Sequence, residues 1–449
     1  MESRLVDRAA LGDLAEVYPP DLIDEIIAAT RTREARARLL PARLMVYFML
    51  GKALFSPAPY REVLRTLAET ARHDACGWGS WHVLDKAAIF RARQRLGDQP
   101  FQRLLARAGP GVATPATPGA FWRGWRLMVI DGTTVEAAGT PANAAGLGRP
   151  RRRKGRGPAG YPLARVVTLM ESGTHVMVDA AVDAYRVQER ELAARLARSL
   201  RPGMLVLADR GLPGVHLWKQ MAATGAELVW RVPKLWKLPV EQVLPDGSWI
   251  STVRGGRGRR RQPAEDVRVR VAGYVPGDPG RNRGERYRVV TTILDPEAAP
   301  ATELGALYAE RWEAENTLAE WKTHQLGSRN IVTSKSPGLV RQEIYAHLAA
   351  HTAVRTLMHQ VATCQAEPID PDRLSFTAAL RAVRRSVTSM AGTFPPGGAG
   401  RRAGQPRPGA AGGDQPASPA PRRDPPGQAE DVPVPVMEPR PSPAGEEAG

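Results

Sequence analysis

Apolar residues recur every three to four positions over the first quarter of the chain, and this spacing predicts helices. The Pro-Pro-Asp motif at 19–21 is a helix start signal, and the apolar positions after it extend the predicted helix through Ile27. The most apolar stretch, 39–55, carries two cationic side chains and is shorter than the roughly 20 residues that span a bilayer. It therefore predicts a buried core helix, and we expect an all-α N-terminal domain over residues 1–115.

One predicted helix of this domain is rich in arginine. Residues 89–96 contain Arg91, Arg93 and Arg95 between apolar positions. Such a helix could read DNA, or it could be an ordinary helix with a solvated basic face, and the pattern leaves both interpretations open. The segment 109–119 is rich in Gly, Pro and Thr and predicts a linker.

From about residue 120 the pattern changes to short apolar runs and intervening helical segments, which is typical of an α/β layer with a mixed sheet. The predicted strands are Leu127–Ile130, Val166–Met170, His175–Val182, Leu205–Ala208 and Glu227–Val232, and the predicted helices are Gln188–Leu200 and Val215–Ala223. We assign 120–232 and 299–392 to two parts of one core and 233–298 to a β-rich insertion. The second part begins with a long predicted helix over 301–325.

Two aspartates directly follow predicted strands. Asp131 comes after the run 127–130, and Asp209 comes after 205–208. The carboxyl ends of strands face the crevice where α/β sheets bind ligands, so neighbouring strands would bring the two carboxylates together. Oxygen ligands favour a hard ion such as Mg²⁺ over zinc. Alternatively, each aspartate only caps a turn before a glycine.

The predicted helix 301–325 carries a one-sided stripe. At about 100° per residue, Tyr308, Arg311, Glu315 and Lys322 fall on an arc about 60° wide. The remaining carboxylates face away from this arc: Glu303, Glu310, Glu313 and Glu320. A carboxylate beside two cations and a phenol suits phosphoryl transfer on DNA, although a surface row of i,i+4 ion pairs would have the same pattern.

Charge and composition point to a polyanionic partner. The chain has 63 Lys and Arg against 46 Asp and Glu, a formal net charge of +17. Its two isolated cysteines, Cys76 and Cys364, form neither a disulfide framework nor a zinc site, which favours a reduced, cytoplasmic setting. We see no signal peptide and expect no membrane association. Residues 393–449 hold 14 Pro and 10 Gly and predict a disordered tail.

Four motifs together resemble a known family. The pattern Tyr308-x₂-Arg311-x₃-Glu315-x₆-Lys322 is similar to the YREK signature of DDE transposases of the insertion-sequence-4 type, and Arg311 is followed by the usual Trp. The segment 131–134, Asp-Gly-Thr-Thr, with Thr-Pro-x-Asn at 140–143, resembles the first-aspartate region of that family. The segment 207–211, Leu-Ala-Asp-Arg-Gly, resembles its second-aspartate motif.

The resemblance implies a ribonuclease-H-like core with a β-rich insertion and a helical N-terminal domain that recognises terminal inverted repeats. It implies a DNA transposase that performs cut-and-paste transposition of an insertion element, as an endonuclease and strand transferase, through a hairpin intermediate. Asp131, Asp209 and Glu315 would hold two Mg²⁺ ions, for which Mn²⁺ can substitute. Contacts to double-stranded DNA would come from Tyr308, Arg311, Lys322 and Arg210, and a homodimer would hold the paired ends.

A flipped base is stacked by an aromatic residue in one relative, 21 positions before the signature tyrosine. That offset gives Tyr287 here, with Trp249 and Trp236 as rivals, although Tyr287 could also be an ordinary strand aromatic of the core. Two basic, glycine-containing runs, 149–156 and 254–261, suit a DNA backbone, or they are solvated loops.

Two other functions stay open at this stage. The abrupt change of composition after about residue 394 would fit a frameshift, which would leave a catalytically impaired remnant that binds DNA without transposing. A non-catalytic basic architectural protein would explain the charge, but it would not explain the helix stripe or the strand-end aspartates.

Overall fold

The N-terminal region is helical, as the apolar spacing predicts. In this computed structural model the described residues are 12–36, 38–56, 58–72, 85–109, 111–150, 160–255, 266–274, 287–309, 311–327, 331–365 and 367–388. Within them, the helices before the first strand are α1 (Leu14–Val17), α2 (Pro20–Ala29), α3 (Ala42–Leu54), α4 (Tyr60–Arg72), α5 (Lys86–Leu96) and α6 (Gln99–Ala106). Pro20 lies in the first turn of α2, where its missing N–H leaves no bond unmade.

The predicted core helix is α3, and it is buried on almost every side. Of its residues, only Arg43 is not fully buried, and Arg43 donates to Asp24 of α2. Helices α3 and α6 pack against the long helix α12 (Pro337–Thr363), which is itself largely buried. The N-terminal helices therefore share a hydrophobic core with elements near the other end of the described chain.

The arginine-rich helix α5 requires a correction. Arg91 and Arg95 are exposed, but Arg93 is buried and donates to Gln342 Oε1 and Ser334 Oγ, both at 2.8 Å. Arg93 therefore ties α5 to α12 and the segment before it. Arg93 is therefore neither a DNA-reading residue nor a solvated one. The periodicity of the sequence could not show this, because the partners of Arg93 come from distant segments.

The strands of the described residues form one mixed sheet. They are β1 (Phe121–Trp122), β2 (Trp125–Ala137), β3 (Leu163–Glu171), β4 (Met177–Ala184), β5 (Met204–Ala208), β6 (Glu227–Arg231), β7 (Gln242–Val243), β8 (Trp249–Val253), β9 (Val267–Tyr274), β10 (Tyr287–Thr291) and β11 (Ile331–Val332). Their order is β4-β3-β2-β5-β6-β10-β9-β8-β7, and β1 and β11 also pair with β2. Strand β2 is parallel to β5, and β5 is parallel to β6. The predicted β-rich insertion extends this sheet, since β10 pairs with β6.

Side chains alternate between the two faces of the sheet. What we call the first face carries the odd-numbered residues Leu127, Val129, Leu205 and Leu207, which join the core containing α3 and α12. The second face carries Met128, Ile130, Val206 and Ala208, which join a separate core with α8 (Glu189–Arg195) and α9 (Val215–Ala222). A short helix, α7 (Pro141–Leu147), connects β2 to β3.

The predicted helix over 301–325 is not continuous. It consists of α10 (Ala301–Ala309), α11 (Trp312–Glu320) and a π-helical turn, Trp321–Leu326, and Arg311 lies at the N-cap of α11. The prediction of one unbroken helix was therefore wrong, but Arg311 keeps helical backbone angles, φ −57° and ψ −24°. After α12, a 3₁₀ turn (Pro371–Arg373) leads to α13 (Phe376–Thr388).

The predicted linker is anchored to the sheet where it is described. The backbone N–H groups of Val112 and Ala113 donate to Glu171 Oε2 at 3.1 and 3.0 Å, and Glu171 is fully buried. The domain boundaries proposed from sequence stay predictions. Among the described residues, no helix combines the length and apolar character needed to cross a bilayer. The predicted disordered tail, 393–449, lies outside the described residues.

Candidate active site

Asp131 and Asp209 lie side by side on the first face of the sheet. Strand β2 does not end at Asp131, as the apolar run suggested, but continues through it to Ala137, whereas β5 ends one residue before Asp209. The parallel register pairs Ile130 with Ala208, so the two aspartates are the next residues of neighbouring strands, which lie about 5 Å apart.

The turn between α10 and α11 covers both aspartates. Tyr308 Oη donates to Asp209 Oδ1 at 3.2 Å. Arg311 donates to Glu315 Oε1 at 2.6 Å, and its Nη1 lies 4.0 Å from Asp131 Oδ2. The three predicted acids therefore converge around one guanidinium and one phenol.

Lys322 reaches the same strand from the π-helical turn. Its Nζ donates to Thr133 Oγ1 at 3.1 Å, and Thr133 lies two positions beyond Asp131 on the same face of β2. Single π-helical turns occur frequently at functional sites. The four residues of the predicted stripe therefore meet at one place, even though the helix that carries them is interrupted.

Burial and neighbouring charges both shift the pKa values of this site. It raises the pKa of Asp131 to about 6, against the opposing effects of the Gly132 amide and Arg311. Burial acts to lower the pKa of Arg311, but Tyr308 and Glu315 outweigh it and raise this pKa. Arg311 Nε is buried without a hydrogen-bond partner among the described residues. The site thus contains a carboxylate, Asp131, whose charge is destabilised by burial, and an N–H donor, Arg311 Nε, that has no acceptor among the described residues.

A fourth carboxylate, Glu189 at the start of α8, was missed by sequence reasoning. It contributes to the raised pKa of Asp131, and it lies 3.7 Å from Arg165. A Cβ at position 132 would lie 2.5 Å from Glu189 Oε1, so Gly132 leaves room for this side chain. No sequence motif marked Glu189, since only the packing of α8 brings it near β2.

The other described carboxylates of α10 and α11 point elsewhere, as the wheel predicted. Glu303 pairs with Arg123, and Glu313 lies beside His175. Glu320 pairs with Arg355. Glu310 lies outside the described residues. Glu315 therefore differs from these neighbours in pairing with Arg311, beside Asp131.

Tyr287 is half-buried and lies two positions before Val289, so both side chains are on the first face of the sheet, where Val289 joins the core. The guanidinium of Arg231 lies 3.9 Å from its ring centroid, and Tyr274 lies 5.8 Å away. The rivals Trp249 and Trp236 pack against the second-face core instead. Tyr274, which also lies 5.8 Å from Tyr308, was not singled out from the sequence.

The remaining predicted DNA contacts are less defined. Arg210 follows Asp209 and is exposed. Most of the basic runs 149–156 and 254–261 lies outside the described residues. Asn143 of the first-aspartate region is fully buried and donates to the carbonyls of Ala138 and Ser334, both at 2.9 Å, so its role here is to join the end of β2 to the segment before α12.

Two strand aspartates facing a helix-borne glutamate, with cations beside them, define the class of DDE nucleases and transposases. Comparison with family models agrees with this class. A transposase DDE domain matches residues 122–353, and the insertion element 4 transposase N-terminal domain matches residues 8–106. Because the first match covers 232 of 449 residues, more than half of the chain, the chain belongs to the DDE transposases. The second match shows that its N-terminal region is similar to that of insertion element 4 transposases.

Individual relatives agree. The chain is 28% identical over 393 residues to the transposase InsG for insertion sequence element IS4 of Escherichia coli (strain K12), covering 86% of this chain and 85% of the relative. It is 24% identical over 237 residues to the putative transposase InsZ of the same organism, covering 53% and 76%. A solved piggyBac transposase synaptic complex with hairpin DNA aligns with a TM-score of 0.43 at 12% identity, covering 86% and 82%.

The family confirms the predicted mixed α/β fold class and the predicted function as a DNA transposase, an enzyme of the nuclease and transposase class. It implies dependence on a divalent metal and DNA as partner. No comparison supports the alternative of an inactive remnant. The catalytic and DNA-contact roles of individual residues stay predictions.

Proposed function

We propose that this chain cuts DNA at the terminal inverted repeats of an insertion element and joins the freed ends to a target by cut-and-paste transposition. The observation that carries the proposal is the convergence of Asp131, Asp209 and Glu315 on one face of the sheet, around Arg311. These residues come from a mid-sheet strand, a strand end and a helix. A surface row of i,i+4 ion pairs on one helix would not bring them together.

The donor set fits a hard divalent cation. Carboxylate oxygens are the ligands that Mg²⁺ and Mn²⁺ prefer, and a bound cation would stabilise the ionised form of Asp131 against burial. We propose that Asp131, Asp209 and Glu315 hold Mg²⁺, as two ions, and that Mn²⁺ can substitute. When bound, such ions activate an attacking oxygen and neutralise phosphate charge.

The protein's own residues would position the DNA. The unpartnered Nε–H of Arg311 would donate to a phosphate oxygen. Lys322 adds positive charge on the same face of β2, and Tyr308 holds Asp209 in place. We propose that Arg210 contacts the backbone and that Tyr287 stacks on a displaced base, while Arg231 supports the opposite side of its ring.

The experiment measures Mg²⁺-dependent nicking of linear DNA that carries the element's ends, which are found as matching short inverted repeats flanking the gene. Asp209→Asn should lower the rate on the order of 10³-fold, since it removes a charged ligand of the metal. Glu303→Gln, which changes an exposed glutamate paired with Arg123, is the matched control. Normal cutting by Asp209→Asn would contradict the assignment.

We further propose a homodimer on paired ends, which chromatography of the protein with and without DNA would reveal.

A further inference from the structure

A second group of side chains lies on the face of α11 opposite Glu315. Glu313 is two residues from Glu315, so their side chains lie about 200° apart on the helix. His175, in the turn between β3 and β4, lies between Glu313 and Asp372 of the 3₁₀ turn. Its Nε2 is 2.8 Å from Asp372 Oδ1 and 3.3 Å from Glu313 Oε2, and the donor atoms of all three lie within 4.8 Å of one another.

Thr317 contacts the imidazole of His175 from its other side. The hydroxyl of Thr317 donates to the Glu313 carbonyl at 2.7 Å and lies 2.6 Å from His175 Nδ1. When the hydroxyl donates to the carbonyl, Nδ1 carries the ring proton, and the Nε2 lone pair of the neutral ring faces two carboxylates. That arrangement is repulsive unless a proton or a metal cation lies between them.

Two features of the group suit a metal cation. First, the His175 side chain is only 4% exposed, yet neither carboxylate oxygen is aligned for a hydrogen bond with Nε2. Donor atoms that surround a common ion are close to one another without pointing at one another. Second, Glu313 and Asp372 are about a third exposed, at 33% and 37%, so an ion could enter and keep water ligands.

Charge around the group also favours a cation. Arg355 donates to Glu320 at 2.6 Å and lies 4.0 Å from Asp372, and His351 Nε2 lies 3.0 Å from Glu320. The three carboxylates of Glu313, Glu320 and Asp372 outnumber the one guanidinium, so the group attracts a cation.

The backbone of His175 is held in an uncommon conformation. Its φ is +60°, the left-handed region that residues other than glycine rarely adopt. Such a conformation persists only where surrounding contacts impose it, and here it directs the imidazole between α11 and the 3₁₀ turn.

We propose that His175, Glu313 and Asp372 form a second cation site, separate from the catalytic carboxylates, for a borderline divalent metal of the Zn²⁺ class. One imidazole nitrogen with two carboxylate oxygens is a donor set that Zn²⁺ accepts. The bound ion would join α11, which carries Glu315, to the β3–β4 turn and to the turn before α13. This site would therefore hold the helix that carries Glu315 in place.

The test is Zn²⁺ binding by calorimetry to full-length protein in which Asp131→Asn, Asp209→Asn and Glu315→Gln together remove the catalytic carboxylates. We expect one tightly bound Zn²⁺ and a rise in the thermal midpoint on its addition. Adding Asp372→Asn should abolish this binding. Adding Thr317→Val, which removes the group that orients His175, should weaken it about 10- to 100-fold, and adding Glu303→Gln should leave it unchanged.

If the triple variant does not fold, the wild-type chain serves instead, and Asp372→Asn should then bind one Zn²⁺ fewer than Glu303→Gln. Unchanged Zn²⁺ affinity in Asp372→Asn, or no tight binding in its parent, would overturn the proposal and leave a site that holds only a proton. DNA cleavage does not enter this readout, so its outcome is independent of the proposed catalytic function.

Discussion

Arg311 Nη1 lies 4.0 Å from Oδ2 of Asp131, although 180 positions separate the two residues in the chain. The same guanidinium donates a 2.6 Å hydrogen bond to Glu315. One cation therefore lies between a carboxylate of the sheet and a carboxylate of the helix that covers it. Since neighbouring carboxylates repel one another, we expect Arg311 to hold the site together before a metal binds and to lie beside the phosphate once metal and DNA are bound.

This relationship predicts a large effect of Arg311→Lys. Lysine has no planar fork and cannot contact Asp131 and Glu315 while also presenting an Nε–H to phosphate. We expect nicking at saturating Mg²⁺ to slow about 10²- to 10³-fold, the usual cost of losing one transition-state donor. Arg123→Lys, on an exposed pair with Glu303, is the control for removing an arginine fork. A normal rate for Arg311→Lys would show that the guanidinium has no part in the reaction.

Tyr308→Phe should affect metal affinity more than the chemical step. It removes the hydrogen bond from Oη to Asp209 Oδ1, and losing such a support of a metal ligand typically costs 10- to 100-fold in metal affinity. We therefore expect the Mg²⁺ concentration for half-maximal nicking to rise by that factor, while the rate at saturating Mg²⁺ stays within a few-fold of wild type. An equally large loss at saturating Mg²⁺ would instead assign Tyr308 a direct contact with DNA.

Local patterns predicted most elements of this fold because buried strands and helices leave clear periodicities. The apolar run 205–208 identified a strand, and the stripe of Tyr308, Arg311, Glu315 and Lys322 identified residues that meet in the structure. The stripe identified these residues although α10 and α11 are separate helices, because the backbone at Arg311 keeps helical angles, φ −57° and ψ −24°. The strand end at Asp131 was wrong, since β2 stays paired with β3 on its other side beyond that residue.

Contacts between distant segments were not predictable in the same way. Arg93 has the sequence context of a solvated arginine, but Gln342 and Ser334 complete its hydrogen bonds from about 240 positions away. Glu189 and His175 likewise carry no motif, and only the packing of α8 and of the β3–β4 turn brings them near other charges. Single residues of this kind need the tertiary structure before they can be identified.

Glu171→Gln should destabilise the protein strongly. Glu171 is fully buried, forms an ion pair with Arg126, and accepts from the Thr174 hydroxyl at 2.6 Å and from the amides of Val112 and Ala113. Removing one partner of a buried pair typically costs about 3–5 kcal/mol. Urea unfolding followed by circular dichroism would measure the loss. Glu303→Gln should change the free energy of unfolding far less, since its pair with Arg123 is exposed; equal effects of the two changes would contradict this prediction.

His347 should make the protein less stable in mild acid. Burial lowers its pKa to about 4, against the opposing effect of Glu343, and neither ring nitrogen has a hydrogen-bond partner among the described residues. Because the ordinary pKa of histidine is about 6.5, the unfolded chain binds more protons than the folded one between about pH 4 and 6.5. The stabilising effect of this residue is therefore complete above pH 6.5 and is lost as the pH falls towards 4.

The matching experiment compares wild type with His347→Leu by urea unfolding from pH 7 to pH 4. Leucine cannot take up a proton, so the wild-type free energy of unfolding should fall by up to about 3 kcal/mol more than that of the variant across this range, from 1.36 kcal/mol per unit of pKa. Glu343 raises the pKa of His347 and Lys52 lowers it, so the full difference in free energy is an upper bound. His216→Leu, at an exposed position on α9, should keep the wild-type dependence on pH. Parallel curves for wild type and His347→Leu would mean that His347 is protonated in the folded protein, with Glu343 compensating its charge.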